Sequence, residues 1–170
     1  MSSGGDTSVS KWMVILAWIS GLGLLTYVFS GMLEKRYNPN DQPASQYYNG
    51  QTEVTLKQNR AGHYVTSGTI NGQKVVFLID TGATDVAIPA HLQQRLGLEA
   101  GYSSLVQTAN GTVRVSSTQI ERLSIGEIEV RNVKANLNPG MDGDYILLGM
   151  SVLRQLEFTQ RGDSLILRTL

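Results

Sequence analysis

The 170-residue chain has no cysteine, which excludes disulfides, thiolate metal sites and a cysteine nucleophile. A cysteine-free chain suits either side of a membrane, so this absence assigns no compartment. Histidine is almost as scarce. His63 and His91 are the whole supply; they lie far apart and outside any ligand-spaced motif. Both read as ordinary surface or boundary residues, and no metal or cofactor is expected. Charge of one sign is also missing. Fourteen Lys and Arg balance fourteen Asp and Glu, and from residue 60 onward ten of each remain. Without a basic stripe, nucleic acid is not an expected partner. The length accommodates one domain of ordinary size plus attachments.

The chain does contain one long uncharged run. Trp12 to Leu33 holds 22 residues, WMVILAWISGLGLLTYVFSGML, which as a helix would span roughly 33 Å, enough for a bilayer core. Lys11 stands at one end and Glu34-Lys35-Arg36 at the other, with Trp12, Trp18, Tyr27 and Tyr37 available as interfacial aromatics. A cleaved signal peptide would have a shorter apolar region and a small-residue cleavage site, to which Val28-Phe29-Ser30 is a weak match. A core helix would carry a polar face. The run therefore reads as an uncleaved transmembrane anchor behind an N-terminal tail, residues 1–11. Lys35 and Arg36 against Lys11 lean the carboxyl-terminal part towards the cytoplasm. Residues 34–58 carry Asn38, Pro39, Asn40, Asp41, Pro43 and Gly50 without apolar periodicity, the composition of a flexible linker.

From residue 60 the pattern changes to short alternating runs divided by turn signals. His63–Ile70 and Lys74–Ile79 are strands around Asn71-Gly72, a strong two-residue hairpin turn. Pro89–Leu98 reads as a short helix, with Pro89 suited to its first turn and Gly97 to its end. Asn110-Gly111 is a second hairpin signal between Leu105–Thr108 and Thr112–Val115. Ile120–Ile125 and Glu127–Ala135 alternate around Gly126. Tyr145–Leu148 is a further apolar run, followed after Gly149 by a helical Ser151–Leu156 and a final strand, Leu165–Leu170. Many short strands with one or two helical turns make residues 60–170 an all-β domain, a small barrel or sandwich.

The chemistry concentrates at Asp80. It ends the continuous apolar run Val75-Val76-Phe77-Leu78-Ile79 and opens Thr81-Gly82-Ala83-Thr84. A carboxylate at the end of a buried strand is costly unless hydrogen-bonded or functional. Gly82 permits close backbone approach, and Thr81 offers a hydroxyl. The arrangement aims an acid from a rigid base into a cleft, as general acid–base chemistry requires. An isolated Asp-Thr-Gly would more often be a turn. Here Leu147-Leu148-Gly149 and a short helix follow some 70 residues later.

Residues 60–170 resemble the retropepsin-like aspartic proteases of clan AA, and most closely their bacterial membrane-anchored branch. The resemblance rests on Val76–Thr84, Arg95-Leu96-Gly97-Leu98, Thr108-Ala109-Asn110-Gly111 and Leu147–Leu153, in the family's order. It implies an acid-protease barrel, one lobe per chain, behind the N-terminal transmembrane helix. It implies that Asp80 is the catalytic aspartate, that Thr81 locks two active-site loops together across a dimer, and that Gly82 and Ala83 complete the loop. Thr108, Ala109, Asn110 and Gly111 would form the flap over bound peptide. Leu147, Leu148 and Gly149 would cross behind the catalytic loop. Met150 departs from many viral members, which place an arginine there that ties the dimer together.

Such chemistry needs two carboxylates sharing one proton. Asp142, Asp144 and Asp163 lack the Thr/Ser-Gly that would make a second motif, and a two-lobed chain would need roughly twice the domain length. A homodimer giving one Asp80 per copy is therefore expected, with Leu165–Leu170 as the candidate for intersubunit sheet pairing. The expected function is a membrane-anchored aspartic endopeptidase acting on proteins or peptides. The alternative is a catalytically silent peptide-binding or scaffolding module on the same fold; a secreted structural domain is a third reading. The resemblance implies a single-pass protein of a bacterial inner membrane with a periplasmic domain, against the lean of the charge count.

Overall fold

The computed structural model describes residues 10–108 and 111–170. The chain divides between Arg36 and Tyr37 into two units. Helix α1, Lys11–Tyr37, contains the only described stretch long and apolar enough to cross a membrane, Lys11–Gly31. Its described apolar side chains are exposed all round, as a lipid-facing helix requires. Its two hydroxyls bond back to the helix, Thr26 Oγ1 to Leu22 O at 2.8 Å and Ser30 Oγ to Tyr27 O at 2.9 Å.

The second unit is a pair of sheets around one core. Its strands are β1 (Ala44–Tyr48), β2 (Gln51–Lys57), β3 (Val65–Ile70), β4 (Gln73–Ile79), β5 (Val86–Pro89), β6 (Ser103–Thr108), β7 (Gly111–Ile125), β8 (Ile128–Asn138), β9 (Tyr145–Leu148), β10 (Leu156–Arg161) and β11 (Ser164–Thr169), with helix α2 at Met150–Leu153. Seven strands run in the order β3-β4-β9-β5-β8-β7-β6. Thr69↔Ser124 and Ile70↔Leu123 join β3 to β7, so the first six strands close on themselves. Closure is tight at Gly68, where a Cβ would overlap Ser124 O and approach Phe77 Cε2 at 2.7 Å. Phe77, Ile70, Ile88, Ile120, Ile146 and Leu148 are fully buried inside, each contributing roughly 1.5–3 kcal/mol by leaving water. The other four strands form an antiparallel sheet, β1-β2-β11-β10, which adds Val54, Leu56, Leu165 and Leu167 to the same core.

This second sheet corrects two expectations. Residues 34–58 are not a flexible linker: 34–37 end helix α1, and the rest supplies β1 and β2. Asn49 (φ 51°) and Gly50 (φ 85°) make their tight turn, as Asn71 (φ 49°) and Gly72 (φ 81°) do between β3 and β4. Ahead of β1, Asn40 is a polar fastener. Its Nδ2 donates to Lys57 O (2.9 Å) and Val65 O (2.7 Å), and its Oδ1 accepts from Lys57 N (2.7 Å). Its carbonyl accepts from Ser67 N at 3.1 Å. Second, Leu165–Leu170 is not a free terminal strand. β11 lies between β2 and β10, so both its edges are already paired within the chain.

Three element boundaries also differ. Pro89–Leu98 forms only a 3₁₀ turn, Ala90–Leu92, followed by turns to Gly97, because Pro89 completes strand β5 instead of starting a helix. The strands expected on either side of Ser116-Ser117 are one continuous β7. Thr108 pairs with Gly111, so Gly111 (φ 109°) opens β7 and is not the second turn residue; Ala109 and Asn110 lie outside the described residues.

Asn40→Ala removes the side-chain partner of three backbone groups, Lys57 N, Lys57 O and the buried Val65 O. It is expected to lower the unfolding free energy by about 3 kcal/mol in urea titrations. A change below about 0.5 kcal/mol would mean that the segment before β1 is only a tether.

Candidate active site

Asp80 is placed by a strand crossing. β4 runs parallel to β9, and β9 runs antiparallel to β5. The strands before and after the Asp80–Asp85 loop are thus held apart by β9, whose end passes beneath the loop. Asp80 N donates to Leu148 O at 3.1 Å. On the other side Met150 N donates to Ala83 O at 2.8 Å and Ser151 N to Thr84 O at 2.9 Å. Gly149 sits between, buried, where a Cβ would overlap Asp85 O and lie 2.6 Å from Ala83 O. Only glycine fits there, because the contact is with backbone that cannot swing aside.

Within the loop, the Asp80 carboxylate turns back on its own backbone. Gly82 N donates to Asp80 Oδ1 at 2.9 Å, and Ala83 N donates to Asp80 O at 3.2 Å. One carboxylate oxygen is fixed while the half-buried group keeps its other oxygen open among the described residues. A Cβ on Gly82 would lie 3.2 Å from Asp80 Oδ1, so glycine leaves the carboxylate room. Thr81 is exposed, and among the described residues its hydroxyl has no partner.

Alternation along the strands defines what adjoins the carboxylate. Phe77, Ile146, Leu148, Val86 and Ile88 face the core. Leu78, Leu147 and Ala87 therefore share the opposite face, side by side through the pairs Leu78↔Leu147 and Ala87↔Leu147. This apolar strip lies on three strands, two residues back from Asp80. Asn136 continues it through Ala87↔Asn136; its Oδ1 is enclosed with no hydrogen-bond partner among the described residues. The β6–β7 hairpin extends beyond the Ser116↔Leu137 pairing with β8. It is closed at its end by Thr108 Oγ1 donating to Gly111 O at 2.7 Å.

Of the residues expected at the site, Asp80, Thr81, Gly82, Ala83, Leu148 and Gly149 meet at one crossing, and Leu147 lies beside it. Thr108 and Gly111 lie on the hairpin, and Ala109 and Asn110 fall outside the described residues. The sequence reading missed Ser151. Its Oγ accepts from Val86 N (3.1 Å) and donates to Lys134 O (2.9 Å), tying α2 to both β5 and β8. A hydroxyl directly beyond an apolar-apolar-Gly run was the available signal. Tyr64 was also missed. Its carbonyl accepts from Ile79 N at 2.9 Å, next to Asp80, and burial followed by the Asp163 carboxylate raises the pKa of its phenol.

His91 and Asp144 pair at 3.0 Å on the surface, and His63 is exposed. Among the described residues no group of three His, Cys, Asp or Glu could hold a metal ion. A cleft of about 480 Å³ lies elsewhere, between Ser67, Lys74, Arg95 and Asp144; Asp80 does not line it.

A crossed-strand barrel with an Asp-Thr-Gly loop at the crossing defines an acid-protease lobe. Comparison with known proteins agrees. The family described as "gag-polyprotein putative aspartyl protease" matches residues 66–155. A crystal structure of a retropepsin-like aspartic protease from Rickettsia conorii superposes with a TM-score of 0.61 at 31% identity, covering 75% of this chain and 96% of that one. An uncharacterized protein of a Sinorhizobium species, named for its place in the cobV 5' region, is 37% identical over 123 residues. An uncharacterized protein of Rickettsia prowazekii is 32% identical over 119. These matches cover 70% and 68% of this chain but only 53% and 51% of the relatives, so the chain spans about half of their length. The chain belongs to the retropepsin-like aspartic protease family.

Gly149→Ala forces the Ala83 and Asp85 carbonyls apart. It is expected to cost about 3 kcal/mol or more, because overpacking against backbone cannot relax. Thermal unfolding against wild type checks this; an unchanged midpoint would contradict the crossing.

Proposed function

We propose that the chain is a membrane-anchored aspartic endopeptidase whose active site forms when two copies bring their Asp80 carboxylates together. The observation that carries this reading is the half-built site. One rigidly held carboxylate has an open oxygen, an exposed Thr81 beside it and an apolar strip alongside, and no second Asp-Thr-Gly stands in the chain. Two such carboxylates a few ångströms apart hold one proton between them, because both cannot easily ionise. The ionised Asp80 takes a proton from a water, whose oxygen attacks the scissile carbonyl carbon. The protonated Asp80 of the other copy gives its proton to the carbonyl oxygen. Return of a proton to the amide nitrogen then breaks the C–N bond.

Leu78, Leu147 and Ala87 would seat an apolar substrate side chain, and the β6–β7 hairpin would act as lid over the peptide. Thr81 would bond the neighbouring loop across the dimer. Helix α1 would anchor both copies in one bilayer, which raises their effective concentration and favours pairing.

Asp80→Asn keeps the shape and the Gly82 contact but cannot cycle a proton. It is expected to reduce cleavage of an unfolded protein more than about a thousandfold with unchanged circular dichroism. Full turnover by that variant would reject Asp80 as the catalytic acid, and absence of cleavage by wild type and variant alike would favour the silent peptide-binding module.

A further inference from the structure

Asparagine is a recurrent polar residue inside this domain, and elsewhere its amide is bonded. Asn38 Nδ2 donates to Ser67 Oγ at 2.9 Å, and Asn38 Oδ1 accepts from Asn40 N at 3.0 Å. Asn71 Nδ2 donates to Leu96 O at 3.0 Å, and Asn138 Oδ1 accepts from Gly140 N at 2.8 Å. Asn136 is the exception. Its Oδ1 is enclosed without a partner among the described residues. Its Nδ2 makes no bond there either, but is not enclosed, and the residue as a whole is half-buried. A buried acceptor left unmet is costly, and native structures hold few of them.

The pairings place this amide on the row that runs out from beside Asp80. Leu78↔Leu147, Ala87↔Leu147 and Ala87↔Asn136 set four side chains on one face of β4, β9, β5 and β8. Ser117↔Asn136 carries the row to β7, where Ser117 is exposed. Its hydroxyl faces the same side but does not bond Asn136. With neighbouring strands about 4.8 Å apart, the amide stands roughly 10 Å along the row from Leu147. The row thus changes from apolar beside the acid to polar further out. A face shaped only for apolar side chains would carry an aliphatic residue at this place.

We infer that Asn136 is a specificity-determining residue that selects a Gln or Asn side chain of the peptide laid along this row, an inference that rests on the endopeptidase reading. The terminal torsion of asparagine is broad, so either end of its amide can face the peptide. A substrate carboxamide carries both donor and acceptor and meets either end. A carboxylate offers acceptors only, and would lose water beside Leu147 and Ala87 with no Lys or Arg on the row to pair it. An ammonium offers donors only and is desolvated in the same way. An apolar side chain leaves the amide unmet, and a site with an unmet polar group discriminates against such a ligand. Side chains on one face of an extended peptide recur every second residue. The carboxamide therefore belongs two positions beyond the apolar side chain seated on Leu78 and Leu147.

The test uses the full-length chain in detergent and fluorescein-labelled decapeptides. Each has an Ala and Leu background with Gln, Glu, Lys or Leu at one position, moved in turn along the peptide. Cleavage is followed by mass spectrometry. Wild type is expected to cleave the Gln peptide with kcat/KM about tenfold above the other three at one distance from the cut, the gain of one net hydrogen bond. Asn136→Leu should invert the order of Gln and Leu. Asn136→Ala removes the amide without adding bulk and should abolish the preference, so the test survives a Leu variant that does not fold. No Gln preference in wild type, or the same ratio in the variants, overturns the inference, while Asp80-dependent cleavage leaves the endopeptidase reading standing. If no peptide is cut, fluorescence anisotropy with the same peptides decides. Tighter binding of the Gln peptide that is lost in the variants keeps the subsite and drops the endopeptidase reading. Equal binding, or none, overturns both.

Discussion

The passage of β9 between β4 and β5 is the constraint on which the rest of the domain depends. A strand inserted there must run under the loop that joins its two neighbours, and the clearance is one backbone thickness. Gly149 meets that clearance by having no side chain. Everything above it follows: Leu148 O is left facing Asp80 N, Met150 N and Ser151 N are left facing the carbonyls of Ala83 and Thr84, and the loop is held from both flanks. The carboxylate is rigid because its support is backbone hydrogen bonding, not side-chain packing. Ser151 extends the same scheme outward by joining α2 to β5 and β8.

A site built this way is precise but incomplete, since β4 ends only once in the chain. The fold uses its alternation to divide labour. One face of β4, β9 and β5 fills the core with Phe77, Leu148 and Ile88; the other leaves Leu78, Leu147 and Ala87 beside the acid. In the proposed dimer, two such half-clefts would face each other. There the apolar helix would serve concentration more than position.

Much of this was legible in the residues. Asp80 at the end of a continuous apolar run, with glycine two residues on and Leu147-Leu148-Gly149 near the end, carried both the family and the crossing. Asn71-Gly72 fixed one hairpin because its backbone requires positive φ at both residues. The same pair, Asn49-Gly50, was present ahead of β2 but stood among prolines and polar residues. The buried role of Asn40 is set by partners 17 and 25 residues away, Lys57 and Val65, and no local pattern encodes that. Pro89–Leu98 has helical spacing, yet tertiary pairing of Val86–Pro89 with β8 claims its first residue and leaves too little chain for more than a turn. The place of β11 between two strands was hidden for a related reason. A terminal alternating run shows that a strand exists, but not how many neighbours it has.

The central claim is that two chains share one catalytic site, and mixing tests it directly. Wild-type and Asp80→Asn chains, combined in equal amounts in detergent and allowed to exchange, pair at random if the site is shared. Activity should then fall to about one quarter of that of the same total amount of wild type, because only dimers with two Asp80 residues work. A fall to about one half would mean that each chain acts alone, and would contradict the shared site.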